Sequence, residues 1–170
     1  MEIDILPKMD RAQIHIVFIV VPRFNITTLI TMIETIRIAN YLAPTSAYSW
    51  EVASFDGSKI TASNGMTATI KTATDNLRSA EFVFILGSWG TEHYRNPKLT
   101  AWLRKRARAG ERICGVELGS YIVARAGLLD GKSATIHWSW LNGFKENFDR
   151  VEVEESLFTL DSKVMTCSGG

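Results

Sequence analysis

Runs of consecutive apolar residues alternate with amphipathic stretches along most of this 170-residue chain. The run at 14–21 is apolar at every position except His15, which predicts a strand buried on both faces of a parallel sheet. Asn25 is a good N-cap for a helix from Ile26 to about Leu42, whose apolar positions share one face. Further strands of the same sheet are predicted at 49–54, 82–86, 112–116 and 133–136.

Helices and short hairpins are predicted between these strands. Residues 97–109 and 118–126 have the pattern of helices, Asn64-Gly65 predicts a tight turn, and 157–166 predicts a final hairpin. The basic residues of the helix at 97–109 are interpreted as a solvated face: Arg104, Lys105, Arg106 and Arg108. Strands that alternate with helices in this way predict an α/β fold. We expect a mostly parallel, flavodoxin-like sheet with helices on both faces.

The corner between the strand at 112–116 and the helix after it has an unusual spacing of small residues. Gly115 and Gly119 flank Glu117 with the pattern of a nucleophile elbow, G-x-Nu-x-G. In an acyl-transfer enzyme the central residue is Ser or Cys, whereas here it is Glu117. Two interpretations stay open: a corner whose small residues serve packing alone, and a site that binds a ligand without reacting.

Composition limits the partners and the compartment. The chain is 46% hydrophobic and 22% charged with a net charge of +1, which is typical of one ordinary globular domain and gives no general attraction to nucleic acid or a membrane. Residues 1–12 are interpreted as a loose lead-in, and 13–170 as the domain. No apolar run is long enough to span a bilayer. Cys114 and Cys167 lack metal-ligand spacing, so we expect reduced thiols, no metal, no cofactor and a cytoplasmic protein.

Several short motifs follow one another in an order that resembles a known family. They are VPRF at 21–24, ETIRIAN at 34–40, ASNGM at 62–66, AGLLDG at 126–131 and HW at 137–138. Together they resemble the ThiJ/PfpI-like sensor domain of AraC-type transcriptional regulators, which belongs to the class I glutamine amidotransferase-like superfamily. The resemblance covers roughly residues 13–170. It implies a homodimeric regulator that binds DNA only through a C-terminal helix-turn-helix domain. The sequence has no such domain, so we expect a sensor domain cut from a longer regulator.

The resemblance also implies what the domain does not catalyse. The enzymes of this superfamily carry a Cys at the elbow and a later His, and these positions match Glu117 and His137. Their acid near the start of the first helix matches Thr27 or Thr28. These departures argue against thiol chemistry. Regulators that resemble sensors of arginine, glycine betaine or carnitine also carry an acidic residue at the elbow.

The predicted ligand site lies where the parallel strands end, because ligands bind there in open α/β sheets. A carboxyl group in its floor and aromatic rings in its walls would suit a small cationic or zwitterionic metabolite, such as an amino acid or a betaine. The predicted ligand-binding residues are Phe24, Gly87, Ser88, Trp89, Glu117, Leu118, His137 and Trp138.

Other interpretations use the same residues. A hydrolase would use Glu117 as nucleophile, His137 as general base and the Leu118 backbone N–H as an oxyanion donor. A structural dimerisation module would explain the fold without any site. At the level of single residues, the alternatives are that Trp89 caps the core, that Trp138 and Trp140 pack inside it, and that Glu117 only caps its own helix.

Overall fold

The structure, a computed structural model, describes residues 13–169, so the predicted lead-in at 1–12 lies outside the described residues. Its strands are β1 (Ile14–Val20), β2 (Tyr48–Ser54), β3 (Lys59–Thr61), β4 (Thr67–Thr69), β5 (Thr72–Ala73), β6 (Phe82–Gly87), β7 (Arg112–Glu117), β8 (Ser133–Ala134), β9 (Glu152–Val153), β10 (Phe158–Asp161) and β11 (Val164–Cys167). Its α-helices are α1 (Ile26–Leu42), α2 (Pro97–Arg108), α3 (Gly119–Arg125) and α4 (Leu141–Asn147). Among residues 13–169, no helix has the length and apolar character that crossing a membrane requires.

Seven strands form the central sheet, in the order β10-β11-β7-β6-β1-β2-β5. Every neighbouring pair is parallel except β10 and β11. The predicted α/β fold with a mostly parallel sheet is therefore confirmed. The chain leaves β1 toward β2 on one side and returns to β6 on the other, so the strand order reverses between β1 and β6. Crevices at such a reversal, outside the carboxyl ends of the strands, are where ligands bind in this class of sheet.

Apolar side chains cover both faces of the sheet, as the uninterrupted apolar strands predict. Phe18 and Val20 of β1 point into the core beneath α1, while Val17 and Ile19 point into the core beneath α2 and α3. The helix α1 begins where Asn25 predicts, because the Asn25 side chain accepts hydrogen bonds from the N–H groups of Thr27 and Thr28. The helix α1 therefore covers one face of the sheet, and α2 and α3 cover the other.

One predicted strand was wrong in extent and in partner. The run at 133–136 contributes only Ser133–Ala134, which pairs with β9 in a separate two-stranded sheet. Directly after it, the Thr135 N–H donates to the side-chain hydroxyl of Thr166 in β11 (2.7 Å), and not to a backbone carbonyl as in a sheet. The position next to β7 in the central sheet belongs to β11, the last strand of the predicted hairpin.

The prediction of a solvated basic face on α2 was wrong for Arg106. This side chain is only 9% exposed, because position 106 continues the inward stripe of Leu99 and Leu103. Arg106 Nε lies 2.6 Å from Glu111 Oε2, although its N–H is not aimed well enough for a hydrogen bond. The other Glu111 oxygen accepts from Ser79 and from the Ala80 N–H. The result is a buried ion pair that joins α2 to the start of β7.

We expect Glu111→Ala to destabilise the protein by about 3 kcal/mol or more, because it leaves the Arg106 charge buried without its partner. The matched control is Glu34→Ala, which breaks the exposed Glu34–Arg37 pair and should change stability very little. Urea unfolding followed by tryptophan fluorescence measures both. Equal losses in the two variants would contradict a structural role for the buried pair.

Candidate functional site

Glu117 occupies the corner at the elbow, as the glycine spacing predicts. It is the last residue of β7, it is 4% exposed, and its φ is +52°. A positive φ is uncommon for a residue with a side chain, so the corner is strained. The helix α3 begins two residues later, at Gly119.

The flanking glycines are required by close backbone contact. A Cβ atom on Gly119 would overlap the Ile85 carbonyl oxygen of β6, and one on Gly115 would lie 2.8 Å from Ser120 Cα. The first turn of α3 therefore rests directly on β6. The spacing that sequence analysis attributed to packing or to an elbow serves both purposes.

The Glu117 carboxyl group is held by the first turn of α1. Its Oε1 atom accepts hydrogen bonds from Asn25 Nδ2 (2.9 Å) and Thr28 Oγ1 (2.7 Å). The N-cap residue of α3 is Leu118, and no side chain caps that helix. The alternative that Glu117 only caps its own helix is therefore wrong.

Sequence reasoning assigned neither Asn25 nor Thr28 to the site. Asn25 was interpreted only as a helix cap, and it does both, since its Oδ1 caps α1 while its Nδ2 donates to Glu117. Thr28 carried part of a signal, because the acid of the resembling enzymes matches either Thr27 or Thr28. Here the hydroxyl stands near the start of the helix and the acid stands at the elbow.

Gly169 is a further contact that the sequence did not indicate. It has a φ of +72°, and a Cβ atom there would overlap Glu117 Cγ. The segment after β11 therefore lies directly against the side chain at the elbow. Only a residue without a side chain fits between this segment and Glu117.

The structure brings three more of the predicted residues to the elbow. Gly87 pairs with Glu117 across β6 and β7, and Ser88 follows it as a buried residue. Leu118 is adjacent to Glu117, with its side chain buried in the core. Gly87 has no side chain and those of Ser88 and Leu118 are buried, so these three residues leave almost no side-chain surface at the elbow.

The predicted aromatic walls divide into exposed and buried rings. Trp89 is 61% exposed and Trp138 is 73% exposed, so neither ring serves to fill the core. Trp140 does pack against the core, with its ring edge-on to Tyr121. Phe24 is completely buried beneath α1, which leaves it no surface for a ligand in this structure.

His137 is turned toward its own segment. Its Nδ1 atom lies 2.8 Å from Ser139 Oγ, and its ring centroid lies 5.5 Å from that of Trp138. No hydrogen bond within the described part of the chain joins His137 to Glu117. The acid and the base that a hydrolase would use are therefore not in contact here.

A pocket of about 440 Å³ lies next to the segment that covers Glu117. It is lined by Thr135, Ile136, Trp138, Leu141, Glu155, Ser156, Leu157, Ser168 and Gly169. Gly169 thus touches both the pocket and the elbow. Of the predicted ligand-binding residues, only Trp138 lines this pocket.

Neither metal chemistry nor a reactive thiol is built into the described elbow. Within residues 13–169, no group of three or more His, Cys, Asp and Glu side chains is arranged to hold a metal ion. Cys114 lies inside β7, and burial raises the pKa of its thiol to about 12. The predicted inert thiol is consistent with this environment.

Comparison with known proteins shows a family, and the similar curated proteins are named as transcriptional regulators. Its residues 16–170 match the DJ-1/PfpI family. The HTH-type transcriptional regulator CdhR of Pseudomonas aeruginosa is 34% identical over 153 residues, covering 90% of this chain and 45% of the relative. GbdR, an HTH-type transcriptional regulator of the same species, is 34% identical over 165 residues, covering 97% and 45%. The chain therefore spans about half the length of the curated relatives it matches.

Solved structures agree on the fold. An AraC family transcriptional regulator from Pseudomonas putida superposes with a TM-score of 0.82 at 20% identity, covering 92% of this chain and 84% of that chain. Drosophila melanogaster DJ-1beta superposes with a TM-score of 0.78 at 17% identity, covering 93% and 83%. At these identities the likeness concerns the fold alone.

We expect Cys114 to resist alkylation in the folded protein. With a pKa of about 12, only about one thiol in ten thousand is ionised at pH 8, and burial also blocks access. Iodoacetamide labelling followed by peptide mass spectrometry measures this, with Cys167, which is only partly buried, as the internal reference. Both cysteines should label in urea. Rapid, complete labelling of Cys114 without urea would contradict the expectation.

Proposed function

We propose that this chain, which belongs to the DJ-1/PfpI family, is the ligand-sensing domain of an AraC-type transcriptional regulator. DNA binding would come from a helix-turn-helix domain in a longer protein, since the matched relatives are HTH-type regulators about twice the length of this chain. Such a regulator would act in the cytoplasm, and we propose that it does so as a homodimer.

The observation that carries this proposal is the environment of Glu117. A hydrolase with a carboxylate nucleophile needs a general base that can reach the reacting groups. Here Oε1 accepts two hydrogen bonds, from Asn25 and Thr28, and His137 bonds to Ser139 instead. This arrangement favours a fixed acceptor for a ligand over a reacting group.

The surroundings favour a ligand with a positively charged group. Trp89 and Trp138 expose large aromatic surfaces on segments near the elbow, and the faces of indole rings attract ammonium groups. Glu117 would accept hydrogen bonds from such a group or balance its charge. The N–H groups at Ser88 and Leu118, with the imidazole of His137, would serve the carboxylate of a zwitterion. We therefore propose a small cation or zwitterion, such as an amino acid or a betaine.

Access to Glu117 requires movement, because this residue is nearly buried beneath Gly169. The pocket of about 440 Å³ is lined by the same segment, at Ser168 and Gly169. A ligand entering there would reach Glu117 once the segment after β11 shifts. Phe24 would support the start of α1 from below and would not contact the ligand.

We expect wild-type protein to be stabilised in a thermal-shift screen by at least one amino acid or quaternary amine. A ligand at a hundred times its dissociation constant adds about 2.7 kcal/mol to the free energy of unfolding. Glu117→Gln, which keeps the size of the side chain and removes its negative charge, should weaken binding of that ligand by at least about tenfold in calorimetry.

The matched control is Glu155→Gln, since Glu155 lines the neighbouring pocket. Binding that survives Glu117→Gln but is lost in Glu155→Gln would move the ligand to that pocket and contradict the role of Glu117. Turnover of the ligand by wild-type protein, abolished in Glu117→Gln, would establish the hydrolase instead.

A further inference from the structure

In the turn after β1, Arg23 has a backbone conformation that arginine rarely adopts. The Phe24 N–H donates to the Val21 carbonyl (3.0 Å), so Pro22 and Arg23 are the central residues of a β-turn. Proline fixes the first of these at negative φ, while Arg23 has a φ of +65°. These signs define a type II turn, whose third position favours Gly or Asn. An arginine there is strained, and strain of this kind is concentrated at functional sites.

The turn is fixed in place by its neighbours. The Arg23 N–H donates to the Thr61 carbonyl (2.8 Å), and the Ser63 N–H donates to the Phe24 carbonyl (2.9 Å). The hairpin of β3 and β4 therefore holds the turn from one side. The strained backbone of Arg23 is thus a fixed feature of this edge of the sheet.

The loop after β6 is shaped to receive the Arg23 side chain. A Cβ atom on Gly90 would lie 3.4 Å from Arg23 Cδ and 3.6 Å from its Nη1 atom, so the side chain lies across the bare glycine backbone. That loop is itself anchored. Arg125 donates to the carbonyls of Thr91, Glu92 and Tyr94.

Arg23 is exposed, and none of the ion pairs among the described residues includes it. Within residues 13–169, no carboxylate lies within 4.0 Å of its guanidinium group, whereas Arg37, Arg106 and Arg150 each have one. A guanidinium group presents a planar pair of N–H donors that matches the two oxygens of a carboxylate. A bound carboxylate is the partner that this donor pair lacks.

Arg23 and Glu117 stand on opposite sides of the strand reversal. Arg23 follows β1 and lies across the loop after β6, while Glu117 ends β7 and reaches back to Asn25 after β1. One strand separates β1 from β7, so their ends are roughly 10 Å apart and both side chains lean across the interval. A cationic group and an anionic group that both lie over this interval can bind the two ends of a small zwitterion.

We infer that Arg23 binds the carboxylate of a zwitterionic ligand whose positively charged end is held at Glu117. The residue then selects amino acids and betaines over the amines that lack a carboxylate. This inference rests on the proposed function, because it assigns one contact within the proposed ligand site.

The test uses two matched ligand pairs, arginine with agmatine and glycine betaine with tetramethylammonium, in calorimetric titrations of this chain. Within each pair the second compound lacks the carboxylate. Arg23→Gly should weaken binding of the carboxylate-bearing member by at least about tenfold and leave its partner within about twofold. Glycine suits the positive φ, so the variant should unfold at or above the wild-type temperature. Arg23→Lys keeps the charge but not the planar pair of N–H donors, and should lose part of the affinity.

The charge control is Arg108→Gln, which removes a positive charge at the end of α2, shortly before β7 begins and thus at the opposite end of the parallel strands from Arg23. It should leave all four affinities unchanged. If wild-type protein binds one of the pairs and Arg23→Gly weakens both members equally or neither, the role of Arg23 is wrong while the proposed function stands. If wild-type protein prefers the amines, the role of Arg23 is again wrong. If it binds none of the four compounds, this inference fails, while the proposed ligand class is decided by the thermal-shift screen with other amino acids and quaternary amines.

Discussion

The hydrogen bonds between Glu117 and the first turn of α1 join the two helical layers of the protein at one point. Asn25 caps α1 with one atom of its amide group and donates to Glu117 with the other. Glu117 in turn ends the strand that leads into α3, on the opposite face of the sheet. The strained corner persists because a helix start on each side over-determines it. Any change at Glu117 therefore reaches both layers directly.

Around this corner the backbone is packed too tightly to adapt, except on one side. Gly119 lies so close to the Ile85 carbonyl that a Cβ atom would not fit between them, so this side of the elbow is fully packed. Gly169 presses on Glu117 from above, but it belongs to a segment at the end of β11 rather than to the packed centre of the sheet. The corner is therefore tightly packed on the side of β6, whereas the side covered by Gly169 is not held by the packed centre of the sheet. This asymmetry suits a sensor, in which binding has to be converted into a displacement.

Local pattern was sufficient for the elements that are buried on both faces or bounded by a strong signal. The run ending at Val20 and the N-cap at Asn25 were predictable for these reasons. Contacts between residues far apart in the sequence were not predictable, because the period of apolar residues does not indicate which strand or side chain a residue will contact. The pairing of β8 with β9 and the hydrogen bond from Thr28 to Glu117, 89 residues later, are of this kind. Arg106 shows a different error, in which residue type was given more weight than its position on the inward stripe.

The same balance holds for the candidate site. Glycine spacing located Glu117. The burial of Phe24, however, depends on the turn at Arg23, and the sequence gives no signal for that turn because arginine rarely adopts a positive φ. Composition cannot reveal such a turn. The exposed aromatic rings of Trp89 and Trp138 could be located in loops from the sequence, yet their exposure follows only from the packing around them.

A carboxyl group at the elbow also determines how durable the site is in a cell under oxidative stress. A thiol at such a corner passes through sulfenic to sulfinic and sulfonic acids, and the later steps are not readily reversed. Glu117 has no comparable series of oxidation products, and the nearest thiol in the sequence, Cys114, is protonated and shielded inside β7. Oxidation therefore does not remove the carboxyl group of the corner, although Cys167, which pairs with Val116 beside it, is only partly buried. If the domain senses a ligand as proposed, oxidation would leave in place the carboxyl group that recognises it, and the response would follow the concentration of the ligand.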